Sequence, residues 1–133
     1  MFYALELPCS SAWCLLATSG LTTAASAQVP VCNGQVQTVA GNMGGPADDV
    51  IVGTSGNDVI NGWGGDDTLC GRGGHDVIYA GDGADYVFGE GGDDTMWGDV
   101  GNDFLSGGLG FDYGNGQAGG DVCTASTEIP VSC

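Results

Sequence analysis

GGPADDVIV (44–52), GTSGNDVIN (53–61), GWGGDDTLC (62–70), GRGGHDVIY (71–79), AGDGADYVF (80–88), GEGGDDTMW (89–97), GDVGNDFLS (98–106), GGLGFDYGN (107–115) and GQAGGDVCT (116–124) are nine consecutive blocks of nine residues that align without a gap. The sixth position is aspartate in every block: Asp49, Asp58, Asp67, Asp76, Asp85, Asp94, Asp103, Asp112 and Asp121. Glycine holds the fourth position except for Ala47 in the first block, and the first position except for Ala80 in the fifth. The eighth is apolar through Ile51, Ile60, Leu69, Ile78, Val87, Met96 and Leu105, then weakens to Gly114 and Cys123. The whole chain of 133 residues holds 27 glycines, and 17 acids against one Lys or Arg, a formal charge of −16. That composition alone would fit a disordered acidic linker. Aspartates held in register through nine blocks rule the linker out.

One block can be read physically. Its glycine-rich first half requires positive φ, which glycine reaches without a Cβ penalty. Its second half, Asp-x-apolar-x, is a short strand with one side chain inward and its neighbours outward. A strand this short is not stable alone, so blocks must stack and bury their eighth positions against one another. Two blocks then make one turn of the chain, with a strand on each side and a loop at each end. The predicted fold is all-β, a right-handed parallel β-roll solenoid. Its aliphatic core is thin, and ordering glycine-rich chain costs about 1–2 kcal/mol per residue. Repulsion among the acids works against folding as well. The loops point to what offsets both, because stacked carbonyls beside carboxylates form a flexible, all-oxygen, acidic cage. Such a cage suits Ca²⁺, which takes about six to eight oxygen ligands, better than Mg²⁺, which demands tight octahedral geometry.

The blocks resemble the GGxGxDxUx nonapeptide of the repeats-in-toxin (RTX), or haemolysin-type, calcium-binding family. The resemblance implies an ion between each pair of loops one full turn apart. Its ligands would be the nine position-six aspartates and carbonyls of the glycine-rich stretches, at Gly53, Gly56, Gly62, Gly65, Gly71, Gly74, Gly81, Gly83, Gly89, Gly92, Gly98, Gly101, Gly107 and Gly110. Loops of odd and even blocks fall on opposite edges, which leaves room for up to about seven ions. Pro46 and Ala47 make the first loop irregular, and Gly114 removes an inward anchor. Second acids at position five, as in Asp66-Asp67 and Asp93-Asp94, read as solvated or water-mediated. RTX exoproteins resemble type I secretion substrates with few cysteines and an uncleaved C-terminal signal, and this chain differs on both points.

The flanks are of another kind. Residues 1–27 contain the apolar stretch Ala12–Ala17 and end on Ala25-Ser26-Ala27, the small-x-small pattern of a secretory signal peptide, although the leading region has Glu6 and no Lys or Arg. A short amphipathic or buried helix is the alternative for this segment. An extracellular mature chain would begin near Gln28 and comprise a cap (28–43), the roll (44–124) and a second cap (125–133). Gln35–Ala40 is expected to add a first strand over the open end of the core. Cleavage would leave Cys32, Cys70, Cys123 and Cys133, an even set that reads as two disulfides with three connectivities open. Cys123 with Cys133 closes a short tail, and Cys32 with Cys70 brings the first cap onto the third block. Zinc is disfavoured, since there is no CxxC pair and His75 is the lone histidine.

Net charge argues against nucleic acid and anionic membranes as partners, and no apolar run approaches the roughly 18–20 residues of a membrane span. A single loop histidine offers no Ser-His-Asp or Cys-His constellation, so the chain reads as non-enzymatic. No EF-hand loop is present. Tyr86, Phe88 and Phe104 face outward on one side and Tyr79, Trp97 and Tyr113 on the other. They support a second reading, a calcium-dependent carbohydrate or cell-surface binding module, although cross-strand packing and cover by the terminal segments is the favoured account of these rings. A third reading is a fragment of a larger RTX toxin or exoprotease. The scattered residues at position two, such as Trp63 and Arg72, argue against an ice-binding array.

Overall fold

In the computed structural model, which describes residues 31–38, 41–124 and 133, eleven strands follow the chain and no helix occurs among the described residues. They are β1 (Val31–Cys32), β2 (Gln35–Val36), β3 (Val50–Val52), β4 (Val59–Gly64), β5 (Thr68–Gly73), β6 (Val77–Asp82), β7 (Tyr86–Gly91), β8 (Thr95–Val100), β9 (Phe104–Leu109), β10 (Tyr113–Asn115) and β11 (Val122–Thr124). Odd blocks build one parallel sheet, β3-β5-β7-β9-β11, and even blocks the other, β4-β6-β8-β10. The register is the one the period dictates: Ile51 pairs with Leu69, Leu69 with Val87 and Val87 with Leu105. On the other sheet Ile60 pairs with Ile78 and Ile78 with Met96. The chain is therefore an all-β parallel β-roll.

The six-residue strands run further than an Asp-x-apolar-x reading implies, continuing into the glycines of the next block. Alternation explains why. Position eight points inward, position nine outward, and position one of the next block inward again. Position one must then be small, because the two sheets meet there; Ala80 is fully buried in the core beside Ile60, Ile78, Leu69 and Val87.

The first cap departs from expectation. Gln35–Val36 pairs antiparallel with Val31–Cys32, while Thr38 reaches the first roll strand, its N–H donating to the Val50 carbonyl at 3.0 Å, and residues 39–40 lie outside the described part. Asn33 and Gly34 both take positive φ, 47° and 80°. These angles suit the tight two-residue turn that an Asn-Gly pair favours. The hairpin lays Cys32 against Val50, Val52 and Cys70, with Phe88 alongside. Cys32 lies beside Cys70, Cα atoms 5.7 Å apart, and Cys123 beside Cys133, at 6.1 Å. The signal expected at 1–27 lies outside the described residues, as does the second cap apart from Cys133.

Gly114 leaves a gap at the C-terminal end of the core, in a small cavity lined by Met96, Leu105 and Cys123. A Cβ there would meet nothing nearer than Leu105 Cδ2 at 3.6 Å. Gly114→Ala should therefore raise stability by about 1 kcal/mol, through lower unfolded-chain entropy and a filled contact. Thermal unfolding in calcium should show a Tm higher by about 4–8 °C. An unchanged or lower Tm would mean the core is already closed there.

Candidate metal centre

The nine aspartates form two ladders, one on each loop edge. In each, the Oδ1 of one aspartate accepts the backbone N–H of the aspartate 18 residues before it: Asp49 to Asp67 at 2.8 Å, Asp67 to Asp85 at 2.7 Å, and Asp85 to Asp103 at 2.9 Å. The even edge repeats this from Asp58 to Asp76 and from Asp76 to Asp94, each at 2.8 Å. These side chains are almost wholly buried from Asp67 to Asp112, whereas Asp121 is partly exposed. Thr38 and Asn42 cap the first rungs, with Asn42 Nδ2 donating to Asp58 Oδ1 at 2.9 Å and the Thr38 hydroxyl donating to Asp49 Oδ1. A sequence pattern that begins at residue 44 gave no hint of either cap.

The second oxygen of each carboxylate separates two kinds of loop. Oδ2 of Asp67, Asp76, Asp85, Asp94, Asp103 and Asp112 is buried with no hydrogen-bond partner. A buried carboxylate oxygen without a partner is costly, by about 1–3 kcal/mol or more for a charged group. In the first two loops the same atom is satisfied. Asp49 Oδ2 accepts the Gly45 N–H at 2.7 Å, and Asp58 Oδ2 accepts from Thr54 N at 2.6 Å and Thr54 Oγ1 at 2.9 Å.

Four of the six unpartnered oxygens, on Asp67, Asp76, Asp94 and Asp103, lie beside backbone carbonyls. A Cβ built on Gly62, Gly71, Gly89 or Gly98 would lie within 3.0 Å of the Oδ2 five residues on and of the carbonyl oxygen at position one of the next turn. Those carbonyls belong to Ala80, Gly89, Gly107 and Gly116. Among the described residues no three His, Cys, Asp or Glu side chains converge. A cation here would thus be held by one inward carboxylate plus backbone carbonyls, a hard-oxygen set that fits Ca²⁺. The position-four glycines hold the loops close enough for this. Gly92 has φ 122°, and a Cβ on it would strike the Gly74 carbonyl.

Position five, at the solvent-exposed side of the loops, also carries a structural role. Its side chains accept the backbone N–H of position five one turn later, as with Asp48 and Asp66, Asp66 and Ala84, Asn57 and His75, and Asp93 and Phe111. This outer ladder runs opposite in sense to the inner one. His75, whose side chain is 62% exposed, takes its rung through Nδ1, which accepts the Asp93 N–H at 3.1 Å. The outward aromatics pack on one another: Tyr79 and Trp97 stack with centroids 4.7 Å apart and planes 6° from parallel, and Phe104 lies against Tyr86 and Phe88. Cross-strand packing thus accounts for these rings.

Burial pushes the carboxyl of Asp67 up to about 7, opposed by its hydrogen bond from Asp49 and reinforced by the charges of Asp85 and Asp49. Burial likewise lifts Asp85 and Asp94 to about 6, and raises Asp76 and Asp103. Asp58 moves the other way: burial works to raise it, but hydrogen bonds from Thr54 and Asn42 outweigh that and lower it. The unfolded reference is about 3.9. Carboxyls more basic in the folded chain take up protons on folding, so their contribution is complete below about pH 4 and is lost as pH rises through 6 to 7. In chelator, acidification from pH 8 to 5 should therefore increase the strand signal in circular dichroism. A signal that falls or stays level would remove the buried-carboxyl account.

Comparison with known proteins agrees with the geometry. The profile of the RTX calcium-binding nonapeptide repeat (4 copies) matches residues 43–78 and again 79–114, together more than half of the chain. No curated protein and no solved structure matches it.

Proposed function

Because the chain belongs to the RTX calcium-binding nonapeptide repeat family, we propose that it is an exported β-roll whose folding depends on calcium. The observation that carries this reading is the set of six buried, unpartnered Oδ2 atoms, four of them beside backbone carbonyls. Asp67, Asp76, Asp85, Asp94, Asp103 and Asp112 would hold the ions, with carbonyls of Ala80, Gly89, Gly107 and Gly116. Bound calcium supplies positive charge and a wide, adaptable coordination shell. The chain's own residues do the rest. The inner ladder fixes each carboxylate through Oδ1 and leaves Oδ2 free, and the outer ladder sets loop spacing. The thin core aligns the turns without holding them against the repulsion of stacked acids.

Export is supported by the small-x-small stretch before Gln28 and by four cysteines drawn into two pairs, since disulfides persist in oxidising compartments. The role is structural or sensory binding; the ring stacking described above favours packing over a glycan site. Calcium titration of the full chain by circular dichroism, with magnesium in parallel, tests the proposal. A strand spectrum gained with calcium and not with magnesium supports it, and a spectrum indifferent to both refutes it.

A further inference from the structure

We infer that the residue at position two of each block gates its loop, and that Gly45 and Thr54 hold the first two loops closed to calcium, so that ion binding begins at the third block. The inference rests on the calcium reading above and narrows it to particular loops.

The gate is the peptide between positions one and two. In the first two blocks its N–H points inward and donates to the loop's own aspartate, from Gly45 to Asp49 and from Thr54 to Asp58. In the third and ninth blocks the peptide is turned over. Trp63 N donates outward to Asn61 Oδ1 at 3.1 Å, and Gln117 N to Asn115 Oδ1 at 3.1 Å. The position-one carbonyls from the third block on correspondingly face the preceding turn, those of Gly62 and Gly71 toward the first two loops, so what distinguishes these two loops is the inward N–H of position two. An inward N–H presents partial positive charge and uses up the carboxylate oxygen, whereas an inward carbonyl presents a ligand. One orientation satisfies the aspartate without an ion. The other leaves it waiting for one.

Backbone angles at position two follow the same division. Trp63, Arg72, Glu90, Asp99 and Gln117 all have positive φ, between 67° and 81°, and Gly81 and Gly108 share that region. Positive φ costs a non-glycine residue about 1–3 kcal/mol and persists at sites where function requires it. Gly45 and Thr54 do not take positive φ. Each has a local reason. Gly45 precedes Pro46, whose ring confines the preceding residue to extended backbone. Thr54 is β-branched, a poor occupant of the left-handed region, and its hydroxyl adds a second hydrogen bond to Asp58.

Isothermal titration calorimetry of calcium into the full oxidised chain and three variants, in identical salt, tests the gate. Asp58→Asn should bind as many ions as the unaltered chain, Asp94→Asn at least one fewer, and Thr54→Gly one more. Circular dichroism at saturating calcium checks that each variant folds, and Asp112→Asn replaces Asp94→Asn if the latter does not. If Asp58→Asn loses an ion in step with Asp94→Asn, or if Thr54→Gly gains none, the gate is wrong while calcium binding stands. If the unaltered chain takes up no calcium, the functional reading itself falls and the gate with it.

Discussion

Chelating calcium should abolish most of the strand signal of the oxidised chain, and restoring calcium should return it in one cooperative step. The effect is large because nothing else in the roll offsets what its loops cost. The inward stripe consists of position-eight side chains from Ile51 to Leu105 with Ala80 beside them, lacks a side chain at Gly114 and ends on the partly buried Cys123. Against it stand six buried carboxylate oxygens with no partner and five non-glycine residues at positive φ. An ion that binds only the folded chain stabilises it by about 2.7 kcal/mol at a hundred times its dissociation constant. Several such sites together are comparable to the whole stability of an ordinary small domain, about 5–15 kcal/mol. Near-neutral solution is where the dependence should be strongest, since the raised carboxyls of Asp67, Asp85 and Asp94 are then charged or close to it. Far-UV circular dichroism through a chelator and calcium cycle is the measurement. A parallel-sheet spectrum that survives excess chelator at pH 8 would contradict the account.

The second large effect concerns one rung of the inner ladder. Asp85 accepts the Asp67 N–H, donates its own N–H to Asp103, and turns a buried, unpartnered Oδ2 toward the ion path. Asp121 accepts the Asp103 N–H at 3.0 Å but is partly exposed and stands at the end of its edge. Replacing either by Ala leaves a backbone N–H unpaired, a cost of about 1–3 kcal/mol. Only Asp85→Ala also removes a carboxylate enclosed between two turns, and solenoid stability is a sum of nearest-neighbour terms. Asp85→Ala should raise the calcium midpoint by about tenfold or more and lower the bound stoichiometry, with Asp121→Ala falling well short of both. Asp85→Asn keeps an acceptor for Asp67 and should lie between them. Equal effects of the two alanine variants would show that the sites act independently.

Most of the fold was legible because the period is short and strict. Once Ile51, Leu69, Val87 and Leu105 were placed at position eight, their register, sheet and inward direction followed, and the strands pair accordingly. The candidate site was legible at the level of residue type and edge, with aspartate at six and carbonyls at the glycine-rich stretch. What the period hid lies where individual residues override it. Asn33-Gly34 turns the first cap into a hairpin, a local signal that a search for nine-residue blocks passes over. Thr38 and Asn42 cap the ladders from outside the repeat. Position five, variable in type, still builds a ladder because Asp, Asn and His each offer an acceptor at the same reach. The two satisfied carboxylates at Asp49 and Asp58 share the consensus with the unsatisfied six. Their difference resides in Pro46 and Thr54, which change a peptide's direction and not the motif.

Crystals of the full chain grown in calcium, with anomalous differences measured at a long wavelength, test the central claim most directly. The account predicts peaks within coordination distance, about 2.3–2.6 Å, of Oδ2 of Asp67, Asp76, Asp85, Asp94, Asp103 and Asp112, and none at Asp49 or Asp58. A well-ordered roll whose six inward carboxylates carry no anomalous peak would contradict it.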